Sequence, residues 1–200
     1  RRQRQMCIRD RLYSEEPVKK SYHSPQELAS LRKAMQLVPI DSGEYFLTSF
    51  RCKGCHGYDP TGIANVDANG DDINLYDDWA GSMMALSSKD PLWRAKVSHE
   101  MMVNPAHAAE LQTFCTGCHA PMGHYTAMYK GFQHYTLADM YNDSLGNDGV
   151  SCGGCHMIGP LNLGAQFSGN IPYDTNRVEY GPFVNPMVGP MQLYVGLIPT

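Results

Sequence analysis

The sequence predicts a mainly α fold with extensive coil and little or no β-sheet, its interior packed on prosthetic groups as much as on side chains. Three observations predict it. The pattern Cys-x-x-Cys-His occurs three times, at residues 52–56, 115–119 and 152–156. Apolar residues recur at helical spacing behind Ser, Asp, Asn and Thr caps. Runs of Gly, Pro, Asn and Asp separate these stretches, without the alternation that a half-buried strand needs.

The repeated pattern has a chemical reading. Two thiols held one turn of backbone apart can add across the vinyl groups of a porphyrin, and the imidazole that follows then lies under the iron as its proximal ligand. Cys52, Cys55, Cys115, Cys118, Cys152 and Cys155 are thus the expected attachment points of three c-type haems, with His56, His119 and His156 as iron ligands. Six of the seven cysteines fall in such pairs, each followed at once by His, although the chain holds only eight His. Scattered histidines would do this on the order of once in ten thousand cases. A zinc ribbon would need two pairs roughly 15–20 residues apart closing one four-thiolate site; these gaps are longer and the number of pairs is odd. A thioredoxin-like dithiol needs a βαβ setting, which the sequence does not offer.

At 200 residues and 22.3 kDa the chain suffices for one domain or two small haem-centred lobes. Each haem is a flat apolar body, so little regular structure is needed to complete a core around it. The formal net charge of −4 gives no electrostatic ground for binding nucleic acid or an anionic membrane surface. No apolar run reaches the length of a membrane span.

Along the chain, residues 1–11 stand apart, with five of the sixteen basic residues. No apolar segment follows the Arg pair, so a secretory or twin-arginine signal fits poorly. The run resembles a translated sequencing-adapter remnant and is expected to be non-native, which leaves Cys7 without a role. The cytochrome domain is expected over 12–200, truncated at both ends. Ser24, Pro25 and Glu27 cap a helix whose stripe is Leu28, Leu31, Met35 and Val38. A second helix is expected from the Asp41/Glu44 pair, carrying Tyr45, Phe46 and Phe50 into the first motif.

Residues 58–78 read as a loop; Asp67, Asn69, Asp71 and Asp78 partly match a calcium-loop spacing, but Gly70 sits at position 4 rather than 6, so a solvated loop is preferred. A short helix is expected at 79–86. A stronger one opens at Asp90-Pro91 and runs to about Val103, with Leu92, Ala95, His99 and Met102 on one face. Asn104-Pro105 opens the helix that brings Leu111 and Phe114 to the second motif. Thr136 and Asp139 cap a brief helix at 136–141. Residues 159–200 hold six Gly and six Pro and are expected to wrap the haems as coil.

Beyond the motifs, several stretches resemble a family of secreted multihaem c-type cytochromes from environmental bacteria. They are Asp77-Asp78-Trp79 with Ser82-Met83-Met84, Asp90-Pro91-Leu92-Trp93-Arg94-Ala95 with His99-Glu100, Cys118-His119-Ala120-Pro121-Met122, Asp148-Gly149-Val150-Ser151-Cys152 and Tyr180-Gly181-Pro182. The Gly-Val-Ser-Cys-x-x-Cys-His segment is also similar to the tetrahaem electron carrier of ammonia-oxidising bacteria. The resemblance implies export to the periplasm or beyond, because c-type haem is attached outside the cytoplasm, and further motifs downstream.

Six-coordinate irons would need a second axial ligand each. His99 and His124 are the leading candidates, with His23, His107 and His134 behind them; Met83, Met84, Met122 and Met187 read as packing residues. The expected function is electron transfer to redox partner proteins or an extracellular acceptor, without catalytic residues. The alternatives are a fragment of a nitrite- or hydroxylamine-type oxidoreductase with one open haem, or a haem-bearing domain of an extracellular filament or surface cytochrome. The regularity of all three motifs favours transfer.

Overall fold

The computed structural model describes residues 43–160, 164 and 170–200. The run 1–11, the Ser24 helix, His23 and Asp41 lie outside the described residues. The described part is mainly helical. In chain order its helices are α1 (Ser49–His56), α2 (Leu75–Ala80), α3 (Pro91–Val103), α4 (Ala108–His119), α5 (Pro121–Tyr129), α6 (Leu137–Tyr141), α7 (Ser144–Asn147) and α8 (Cys152–His156). A 3-10 turn, Pro105–His107, leads into α4. Two short strands, β1 (Val178–Glu179) and β2 (Ile198–Pro199), pair in parallel with Val178 opposite Ile198. Among the described residues no helix is long and apolar enough to cross a membrane.

Local capping explains several of these boundaries. Asp90 accepts from Leu92 N at 2.9 Å and Pro91 takes the first helical position, so α3 begins where the sequence places it. Thr136 and Asp139 form a reciprocal capping box on α6.

Two expected helices start elsewhere. Residues 43–48 are not helical, and α1 begins at Ser49. The Arg177 guanidinium bonds to the carbonyl oxygens of Gly43 and Glu44, which competes with any helix there. Phe46 is instead fully buried as a core residue. The helix expected at 79–86 lies at Leu75–Ala80, because Asn74 caps it by accepting from Asp77 N at 2.8 Å.

The face of α3 is also reversed. Trp93 and Val97 are buried, whereas Leu92 and Met102 are 77% and 81% exposed. Trp93 joins Val97, Ala120, Tyr135, Leu137 and Met140 in one apolar cluster. A second cluster holds Phe46, Met122, Tyr125, Leu145, Met157 and Tyr173. Ala120, directly after the second motif, belongs to the first cluster, and Met122, in the first turn of α5, belongs to the second.

Candidate functional site

Each motif forms the last turn or turns of a helix, so His56, His119 and His156 are the final residues of α1, α4 and α8. Three residues on a helix is nearly one turn, which sets the two sulfurs of each pair on one side. The second thiols, Cys55, Cys118 and Cys155, are exposed, and the first, Cys52, Cys115 and Cys152, are half-buried. All six are free of disulfides.

Two of the three imidazoles are anchored through Nδ1. His119 Nδ1 lies 3.1 Å from Ser87 O, and His156 Nδ1 lies 2.8 Å from Tyr180 O. A carbonyl can only accept, so Nδ1 carries a proton in both rings, and in the neutral form of each ring Nε2 keeps its lone pair. This is the tautomer and the outer partner that a metal-binding histidine uses. His119 is held further by the Trp93 indole, stacked on it at 4.3 Å between centroids and 8° between planes. His56 is exposed and makes no such bond among the described residues.

The motifs are drawn together. The Cys52 and Cys152 thiols interact, which raises the Cys52 thiol and lowers that of Cys152, with burial raising both. Asp148, four residues before Cys152, is buried and accepts from Ser49 N at 2.7 Å and Ser49 Oγ at 2.6 Å. A carboxylate thus caps α1 from the approach to the third motif. Burial pushes the Asp148 carboxyl up, against these bonds and the charge of Lys89. Ser87 then ties the second motif to the third: its Oγ donates to His119 O at 2.8 Å and accepts from Val150 N at 3.2 Å.

Gly149 makes this junction possible. Its φ is +68°, and a Cβ there would lie 2.7 Å from both Met84 O and Ala85 O. Glu179, on β1, adds a half-buried acid whose charge reaches both Cys52 and Cys152. Burial pushes its carboxyl up to about 7, opposed by His156.

Of the two further candidate ligands, His99 is exposed, with its Nδ1 4.0 Å from Glu100 Oε1. The sequence placed it on an apolar stripe that needed covering, but that stripe faces away from the protein's own core. His124 is half-buried, 3.2 Å through Nδ1 from Thr116 Oγ1. The single proton of that hydroxyl faces two carbonyls, Thr113 O and Tyr135 O, each at 3.0 Å. Donation to either makes the hydroxyl an acceptor for His124 Nδ1–H and leaves Nε2 unprotonated. Burial lowers the His124 pKa, which favours the same neutral ring. His124 packs near Gly117, about 200° around α4 from His119, so the two imidazoles sit on opposite sides of that helix. With His134, Phe114 and Met128 it lines an open cleft of about 340 Å³. His107 and His134 are exposed.

The donor set suits a haem. Among the described residues no three His, Cys, Asp or Glu converge as a metal cage. A haem iron needs no such cage, since the porphyrin supplies four ligands and the chain only axial ones. Asp67, from the calcium-like loop, spends its carboxylate on the amides of Asn69 and Asp71 at 2.8 and 3.0 Å. Sequence reasoning did not assign roles to Ser87, Trp93, Asp148 or the Tyr180 carbonyl. No protein family, curated protein or solved structure matches the chain.

Proposed function

We propose that this chain is an exported electron carrier of the multihaem c-type cytochrome kind, holding three covalent haems through the six paired cysteines. The observation that carries the reading is the pair of Nδ1–H bonds to Ser87 O and Tyr180 O, which leave His119 and His156 with Nε2 as a free donor beside two thiols. Bound haem would supply one-electron chemistry at iron. The chain holds each group by two sulfurs, orients the imidazoles, and keeps the attachment helices in contact through Ser49, Asp148 and Ser87.

Exposed apolar side chains also support a haem-packed fold. Leu92, Met102 and Phe114 are 77%, 81% and 63% exposed on the helices leading to the second motif, α3 and α4. Porphyrin is a suitable cover for such surface. Redox proteins or an extracellular acceptor would be the partners, in the periplasm or outside the cell.

Electron paramagnetic resonance of the oxidised holoprotein, with an optical redox titration, tests the reading. A carrier gives low-spin, six-coordinate signals and reversible one-electron steps, with His99 and His124 as the chain's candidates for second axial ligands. A dominant high-spin signal with rapid binding of carbon monoxide or nitrite would favour an oxidoreductase with an open haem.

A further inference from the structure

We infer that Trp93 is a positioning residue that sets the plane of the His119 imidazole, and with it the electronic state of the iron bound at the second motif. The inference rests on the haem reading of that motif. A histidine side chain turns about two bonds. Hydrogen bonding of Nδ1 to Ser87 O fixes one point of the ring and leaves rotation about the line to that oxygen. An indole stacked within 8° of parallel at 4.3 Å removes that rotation.

Both restraints come from one short piece of chain, residues 87–93. Trp93 lies in the first turn of α3, fixed by the Asp90 cap and Pro91, and is 8% exposed. Next to it, Arg94 Nε donates to Ser88 O at 2.9 Å. That bond ties the turn to the segment that provides the Ser87 carbonyl. Ser87 Oγ bonds in turn to the backbone oxygen of His119. The ring, its hydrogen-bond acceptor and its stacking plane are therefore referenced to each other.

The other motifs lack the second restraint. His156 has its carbonyl partner, and neither it nor His56 stacks on an aromatic ring among the described residues. An axial imidazole's orientation against the porphyrin nitrogens splits the iron d orbitals, so it fixes the low-spin g values and contributes to the potential. A ring held in one plane gives one narrow signal, whereas a ring free to rock gives a spread.

The test uses the full holoprotein with Trp93→Met, Trp93→Phe and, as a packing control in the same cluster, Val97→Ala. The signal of the second motif is the one lost when Cys115 and Cys118 are both replaced by Ala. In Trp93→Met that signal is expected to broaden and shift its largest g value, and the midpoint potential of the same haem to move, while the other signals stay. Trp93→Phe keeps a ring and should shift the signal in the same sense by less. Val97→Ala should lower thermal stability without moving the signal.

Three covalent haems with an unchanged second-motif signal in Trp93→Met would overturn the inference and leave the haem reading intact. If Trp93→Met does not accumulate, an unchanged signal in Trp93→Phe overturns it equally. A shift in Val97→Ala as large as that of the Trp93 variants would reduce Trp93 to packing. A wild-type chain without covalent haem would overturn both readings.

Discussion

Replacing Asp148 tests how the first and third motifs are held together. Its carboxylate accepts two hydrogen bonds from Ser49, at 2.7 Å from the amide and 2.6 Å from the hydroxyl. Bonds to a charged acceptor contribute about 1.5–3 kcal/mol each, so Asp148→Ala forfeits about 3–6 kcal/mol. Removing a buried carboxylate also relieves its desolvation, which offsets part of that loss and leaves about 2–4 kcal/mol. In a chain of this size the midpoint should fall by roughly 6–12 °C. Ser49→Ala keeps the amide bond and should cost about 1–2 kcal/mol. The Asp148→Asn side chain can still accept from the amide and donate to the hydroxyl, so it should lie close to wild type. The assay is thermal unfolding of holoprotein at matched haem content. An Asp148→Ala variant within about 0.5 kcal/mol of wild type would show that the clamp does not hold α1.

Three further outcomes are expected. Gly149→Ala places a side chain at φ +68° and its Cβ 2.7 Å from two carbonyl oxygens, so it should cost at least about 3 kcal/mol; a loss under about 1 kcal/mol in denaturant titration would contradict the close approach. Glu179 has its folded pKa raised from 4.5 to about 7, so the native chain binds more protons across that window and its stability falls as pH rises through it. The fall is at most about 3 kcal/mol and should flatten in Glu179→Gln; an unchanged profile in that variant would assign the dependence elsewhere. Anchoring through Nδ1 strengthens an imidazole as a donor and lowers an iron's potential, so Ser87→Ala, which keeps the acceptor carbonyl but removes the hydroxyl that bonds His119 O and Val150 N, should lower thermal stability more than shift the second motif's potential; a large potential shift alone would place the control in the hydroxyl.

The elements that could be read in advance are those whose determinants are local. α3 and α6 carry their caps within three residues, and both begin where the caps stand. α1 could not be placed, because the carboxylate at its first turn comes from Asp148, 99 residues away in sequence. The buried face of α3 was missed for a related reason. Leu92, Ala95, His99 and Met102 make a regular stripe, but Trp93 and Val97 find the apolar partners Ala120, Tyr135 and Met140, which only the tertiary fold supplies. Strands of two residues are too short to show alternation. In the site itself, the thiols and imidazoles are contiguous in sequence and were legible at once. Their supports were not, since the acceptors for His119 and His156 are backbone carbonyls, which every residue possesses and no sequence pattern marks.

Covalent haem is the claim on which the rest depends, and intact-mass measurement with a pyridine haemochrome count tests it most directly. Protein made in a host with c-type maturation should carry three haems, and the chain with Cys115 and Cys118 both replaced by Ala should carry two. Retention of three haems in that variant, or a wild-type mass without covalent haem and with bound zinc, would contradict the account.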